Sequence, residues 1–368
     1  MQEFRKSYSS IKPDILCLPD VRAESVLFFD IETTGLSKER TNLYLIGAGY
    51  FSEGAFNLIQ WFADNPSEEN YILDDFLAFS EGFETLIHFN GNRFDMPYID
   101  YKAGIYGYEN SLDSLKSIDI YTLVKPFKKL LGLQSLKQRD IEMFLGVNRE
   151  DPYSGRDLIS VYYDQVRDPD EEKLRALLKH NEEDILNLAG ILPVTAYFAL
   201  KDAELFFDDI KKNEYTDYHG NDCIELIFIY HTSLSLKASF NSFNEGVFFS
   251  YDNGEIKIRI PIKEMTLKHF FPDYKNYYYL PMENMCIHKS VASGVDRRRR
   301  ERAKKENCYI KKSGLFMPVF ELEPGNHTLF KDDYRSKMNH IEYDDGILTD
   351  KKMQDLLGPA LIAHLIGQ

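Results

Sequence analysis

A mixed α/β domain followed by a smaller α+β domain is the fold this sequence predicts, and three features predict it. The run VLFFD (Val26 to Asp30) is short and continuously apolar, as expected of a strand buried on both faces. Two more strand-like runs follow directly, and strands then alternate with helices, the pattern of a mixed sheet flanked by helices. Beyond about residue 216 the pattern turns strand-rich, with one late helix.

The elements follow in order. Residues 1–24 read as an N-terminal arm without the apolar stretch of a secretory leader. In the first domain, 25–205, strands at Tyr44 to Phe51 and Ala55 to Phe62 turn at Ser52-Glu53-Gly54. A helix near Glu68 to Phe83 leads to a strand at Thr85 to Asn90. The chain is then mainly helical to about Leu200, apart from a short strand at Ser117 to Tyr121. The longest apolar run, Ile185 to Leu200, is broken by Asn187 and Pro193, whereas a bilayer span needs about 18 residues, so no membrane association is expected. The polar stretch Phe206 to Asp222 marks a domain boundary. In the second domain, 216–368, β-like runs occupy Cys223 to Phe240 and Val247 to Ile262, the latter with a hairpin turn at Asn253-Gly254. A further hairpin is expected at Ser313-Gly314, and a helix from Thr349 to Ile366.

Composition narrows the function classes. With 43% hydrophobic and 28% charged residues the chain is an ordinary folded protein. Cys17, Cys223, Cys286 and Cys308 form no C-x-x-C pair, which argues against a zinc or disulfide framework and suits a reduced, cytoplasmic compartment. A net charge of −15 is unusual for a protein that touches nucleic acid. Charge is segregated, however: Lys289 to Lys312 holds ten Lys or Arg against three acids.

Three acidic motifs carry chemistry. Asp30 and Glu32 lie two apart at a strand end, so both project from one face. With 59 acids in 368 residues, about nine such pairs arise by chance, so the weight lies in the context. An aspartate closing a buried apolar strand is costly unless something pairs with it. In the second motif, Asn90 to Asp95, a strand ends, a polar loop follows and Asp95 opens a helix; a simple helix cap would place an aspartate there equally well. In the third, His180 and Asp184 share one face of a long helix, flanking the buried side marked by Leu177, Ile185 and Leu188. Taken singly, that motif reads equally as an acidic helix face with a satisfied histidine. Grouped carboxylates repel by roughly 4 kcal/mol per pair at 4 Å, so such a cluster implies bound cations or raised pKa values.

Together the motifs Asp-x-Glu, Asn-x-x-x-Phe-Asp and a histidine ahead of a late helical Asp resemble those of the DEDD (DnaQ-like) 3′–5′ exonuclease superfamily. The chain also resembles YprB-type ribonuclease H-like proteins, through IDIYTLVKPFKKLLGLQSLKQRDIEMFLG and DPYSGRDLISVYY as well. The resemblance covers roughly Ser25 to Leu200 and implies a ribonuclease H-like domain. It implies a metal-dependent exonuclease on single-stranded DNA or RNA with two divalent cations, Mg²⁺ or Mn²⁺. Asp30 would bridge both cations, Glu32 and Asp184 would complete one site, and Asp95 would serve the other. His180 would orient or deprotonate the attacking water, Thr33 and Asn90 would position substrate, and Leu36 would pack on a terminal base. The sequence departs in one respect: histidine stands four residues before the last Asp, the spacing of the family's tyrosine subgroup, rather than five.

In the second domain, Arg298, Arg299, Arg302 and Lys305 crowd a stretch expected to be helical, with Tyr277, Tyr278, Tyr279 and Tyr309 as stacking faces for single-stranded nucleic acid. A solvated basic helix is the competing reading. For the whole protein the alternatives are a structure-specific endonuclease, or a nucleic-acid-binding protein without turnover. No calcium loop of EF-hand type is present in the sequence.

Overall fold

The computed structural model describes residues 1–11, 21–320 and 327–367. The chain divides into two compact units, Met1–Lys128 with Leu133–Ala199, and Lys129–Gly132 with Leu200–Gln368.

The first unit holds a six-stranded sheet. Its elements are β1 (Gln2–Tyr8), β2 (Val26–Thr33), β3 (Leu43–Ser52), β4 (Ala55–Phe62), α1 (Glu69–Ser80), β5 (Thr85–His88), α2 (Asp95–Tyr106), β6 (Lys116–Asp119), α3 (Ile120–Val124), α4 (Gln138–Leu145), α5 (Gly155–Arg167) and α6 (Glu171–Gly190). The strand order is β1-β4-β3-β2-β5-β6, with β2, β5 and β6 parallel and the rest antiparallel. This is the mixed sheet read from the sequence. The β3–β4 turn uses Glu53 and Gly54, both at positive φ, the geometry of a tight hairpin. Val26, Leu27, Phe28 and Phe29 are fully buried, as a central strand covered on both faces requires.

Residues 2–8, placed by sequence in an arm, form an edge strand on β4. Its polar sequence hid it, because an edge strand needs only backbone pairing and one buried face. Cys17 and the rest of residues 12–20 lie outside the described residues. The segment Glu171–Asp202 is long and apolar enough to cross a membrane, but 67% of its apolar window is buried inside the protein, as in a core helix.

The second unit contains β7 (Phe206–Thr216), β8 (Asp222–His231), β9 (Phe240–Asn244), β10 (Val247–Asp252), β11 (Glu255–Phe270), β12 (Tyr277–Leu280), β13 (Met285–His288), β14 (Glu301–Arg302), β15 (Tyr309–Val319), β16 (Asn339–Glu342) and α7 (Lys351–Ile366). The long β11 lies between β8 and β10 over its first half and pairs with β15 over its second. Ile256, Ile258, Ile260 and Ile262 alternate into the core. The turn at Asn253-Gly254 is as expected, both residues at positive φ. Three expectations are corrected. The polar stretch 206–216 is strand β7 rather than a linker, and the units part at Ala199/Leu200. Ser313 and Gly314 do not turn: they run on within β15, opposite Thr266 and Met265, and the Ser313 and Thr266 hydroxyls hydrogen-bond at 2.7 Å. The basic stretch is not a helix but a 3-10 turn at Arg297–Arg299 followed by β14, part of a small β13-β12-β14 sheet.

Candidate active site

The three acidic motifs meet at the C-terminal end of β2. Asp30 and Glu32 project from the same face of that strand, and a bulge between Glu32 and Thr33 shifts its register against β3, with Thr33 opposite Leu43. Such a bulge re-aims the side chains at the end of a strand. Asp30 lies opposite Gly47 of β3, where a Cβ would stand 2.0 Å from the Asn181 side-chain oxygen. That glycine lets α6 approach closely, and the Asn181 amide of α6 donates to the Asp30 carboxylate at 3.1 Å.

Asp95 reaches the same place by a different route. Asn90, at φ 61°, turns the chain out of β5, and its amide donates to Asp119 Oδ1 at 2.8 Å. Asn tolerates this left-handed conformation better than most residues. The chain then enters α2 at Asp95, whose carboxylate is buried and does not cap the helix. Burial pushes the Asp95 carboxyl up to about 7, helped by the charges of Asp119 and Asp184 and opposed by the amides of Asp95 itself and of Ile31. The carboxyls of Asp30 and Glu32 are also raised well above the usual range, first by burial and then by Asp184 and Asp95.

The long helix α6 supplies His180 and Asp184, one turn apart. His180 Nε2 lies 3.5 Å from Glu32 Oε1 and 3.4 Å from Asp184 Oδ2. Donor atoms of Glu32, His180 and Asp184 all fall within 4.8 Å of one another, a spacing able to hold a metal ion. Asp30 and Asp95 stand outside that trio, near enough for their charges to act on it and on each other. Buried carboxylates of like charge need a counter-charge to stay ionised together, one that a divalent cation among these donors could supply.

Sequence reasoning missed the residues that hold this group. Buried Asp151, in the loop before α5, accepts from His180 Nδ1 at 2.5 Å. Arg149 of the same loop donates to Asp184 Oδ1 at 2.6 Å and to Glu142 at 2.7 Å. Glu183 of α6 fixes the loop by accepting from the amides of Glu150 and Asp151. Apart from the Arg149–Glu142 pair, these contacts join segments 29 to 35 residues apart, so no local periodicity announces them.

A groove of about 480 Å³ opens beside Glu32, lined by Ile31, Thr33, Leu36, Phe94, Arg156 and Ile159 among others. Leu36 is 87% exposed at its lip. Thr33 is buried, and its hydroxyl donates to the Gly35 carbonyl at 2.8 Å, a local bond. Asn90 stands in the turn that leads to Asp95.

Arg298, Arg299, Arg302 and Lys305 belong to the second unit and are exposed. Arg299 pairs with Glu283 at 3.0 Å. The tyrosines expected to offer stacking faces are engaged within that unit. Tyr277 stacks on Phe271, Arg300 lies over Tyr278 with its guanidinium 4.7 Å from the ring centre, and the Tyr279 and Tyr309 hydroxyls both donate to Asn284. Tyr277 and Tyr279 also pack against the small core of Cys286, Ala303 and Cys308.

Residues 27–195 match the family model RNase_H_2, described as RNase_H superfamily. The chain is 23% identical over 175 residues to the uncharacterized protein YprB of Bacillus subtilis (strain 168), across 45% of this chain and 41% of that protein. Among solved structures it is similar to the family B DNA polymerase of the hyperthermophilic archaeon Pyrobaculum calidifontis, with 17% identity, a TM-score of 0.39, and 48% of this chain and 26% of that chain covered. It is also similar to the zinc-bound E. coli ExoI–ssDNA complex, with 13% identity, a TM-score of 0.28, and 56% and 54% covered. The chain thus spans less than two thirds of each of these proteins.

Proposed function

We propose, from the match of residues 27–195 to the RNase H superfamily model, that this chain is a metal-dependent nuclease that hydrolyses phosphodiester bonds. The observation that supports this reading is the meeting of five buried or half-buried ionisable side chains, Asp30, Glu32, Asp95, His180 and Asp184, beside one groove.

Asp30, Glu32, Asp95 and Asp184 would hold two divalent cations, Mg²⁺ or Mn²⁺ in the reading from sequence. Such a pair supplies hydroxide at neutral pH and stabilises the leaving oxygen. The protein's part is to keep the carboxylates ionised together and in place. Asn181 fixes Asp30, and Arg149 fixes one oxygen of Asp184 while leaving the other turned toward the site. Asp151 accepts a hydrogen bond from His180 Nδ1–H and so aims its Nε2 into the same space. In the groove, Ile31, Leu36, Phe94 and Ile159 suit a nucleobase, and Arg156 suits a phosphate. A pocket of this kind fits the end of a single strand, and 3′–5′ exonuclease action on single-stranded DNA or RNA is the finer proposal.

The test uses end-labelled linear and closed circular single strands with Mg²⁺ or Mn²⁺. Stepwise shortening from the 3′ end, with circles left intact, is the expected result. Cleavage of circles would replace the exonuclease with an endonuclease. Asp30→Ala is expected to abolish hydrolysis while strand binding persists. Binding without turnover by the unaltered chain under every cation would leave a nucleic-acid-binding protein.

A further inference from the structure

We infer that His180 is itself a metal ligand, through Nε2, so that one cation of the proposed centre is held by Glu32, His180 and Asp184 and is a first-row transition ion rather than Mg²⁺. The inference rests on the cation site of the nuclease reading and names the ion class it takes.

Hydrogen bonds behind the ring set the tautomer. Nδ1 of His180 lies 2.5 Å from Asp151 Oδ2, and Asp151 is fixed by Arg139 at 3.2 Å and by the Tyr153 amide at 3.1 Å. A carboxylate so placed accepts a hydrogen bond from Nδ1–H, which leaves Nε2 as the ring nitrogen free to offer a lone pair to an ion. Nε2 faces two carboxylate oxygens, 3.5 Å away at Glu32 and 3.4 Å away at Asp184. Three such groups, with donor atoms all within 4.8 Å of one another, offer one cation three ligands.

The spacings agree with that reading. Adjacent ligands with bonds of about 2.0–2.1 Å around one tetrahedral ion stand about 3.3–3.4 Å apart. Arg149 occupies Asp184 Oδ1, so Asp184 offers the single oxygen Oδ2. A carboxylate on the far nitrogen of a ligating histidine, here Asp151, is the usual support of such a ligand. The four-residue spacing has the same consequence: residues at i and i+4 on a helix lie one above the other, so His180 falls into the ligand cluster instead of standing off to reach a water. Imidazole nitrogen suits Zn²⁺, Fe²⁺ or Co²⁺, whereas Mg²⁺ is served by oxygen ligands.

The test is a titration of the full metal-free chain with Co²⁺ and with Mg²⁺, followed by calorimetry and by the visible absorption of Co²⁺. The expected result is one tight Co²⁺ site whose spectrum changes in His180→Gln, with Co²⁺ affinity falling about 10–100-fold while Mg²⁺ affinity holds. Asp151→Asn should lower Co²⁺ affinity in the same direction and leave the ligand nitrogen in the spectrum. Identical Co²⁺ affinity and spectrum in the unaltered chain and His180→Gln would overturn the inference. So would a ¹⁴N coupling absent from pulsed EPR of the Mn²⁺-loaded unaltered chain, a readout that needs no variant. Hydrolysis with Mg²⁺ and no nitrogen ligation would sink this inference and spare the nuclease; nitrogen ligation with no hydrolysis would do the reverse.

Discussion

Asp30, Glu32 and Asp95 are placed where ionisation is opposed, and that has a measurable consequence for the metal-free chain. The Asp95 carboxyl rises from 3.8 to about 7, first by burial, and those of Asp30 and Glu32 rise in the same sense. A carboxyl whose folded pKa exceeds its unfolded value gives the folded state extra protons. Its stabilisation is therefore full below about pH 4 and lost as pH rises through about 7. In chelator, the thermal midpoint should fall over that window relative to a chain carrying Asp95→Asn. Saturating divalent cation should restore it, since binding only the folded state stabilises by mass action. A midpoint in chelator that climbs steadily from pH 4 to pH 7 would contradict the electrostatic picture.

Helix α6 meets the sheet at two glycines, and their closeness sets the site. A Cβ at Gly49 would stand 2.3 Å from the Phe56 ring and 2.7 Å from Ile185, as one at Gly47 would collide with Asn181. Gly47→Ala should thus cost about 1–3 kcal/mol in denaturant unfolding and lower turnover further by moving Asn181 off Asp30. Substrate binding is expected to change less than turnover. Farther from the chemistry, α1 and α2 are joined by a buried ion pair, Lys102 with Glu69 at 2.9 Å, where Glu69 also accepts from the Leu43 amide and the Tyr106 hydroxyl. Lys102→Met would leave Glu69 charged and buried, a loss of about 3–5 kcal/mol in urea unfolding. Residual activity of the folded fraction should be normal, because the pair lies outside the site.

Charge across the whole molecule is divided. The net charge is −15, yet ten Lys and Arg lie between Lys289 and Lys312. If this segment touches the nucleic-acid backbone, replacing Arg298, Arg299, Arg302 and Lys305 with Ala should weaken strand binding and flatten its salt dependence. For every single-strand phosphate that the variant no longer neutralises, the slope of log K against log salt should shrink by about 0.7. Catalysis on a short oligonucleotide should be unaffected. An unchanged slope would mean that the segment serves the second unit's own structure, as Arg299 does with Glu283.

What the sequence alone determined is local: the apolar run of β2, the glycine turns at Glu53-Gly54 and Asn253-Gly254, the opening of α2 at Asp95 and the helix carrying His180 and Asp184. Each leaves a signature in neighbouring residues, through period, turn chemistry or the cost of a charge at the end of a buried strand. The resemblance of the three motifs then grouped the acids before any geometry was known. The edge strand β1, the strand at 206–216 and the unbroken course of β15 were illegible, because backbone pairing with distant partners sets them. Asp151, Arg149 and Asn181 were illegible for the same reason. Only tertiary structure brings their loop and helix to the end of β2, and hydrogen bonds formed there decide which way His180 faces.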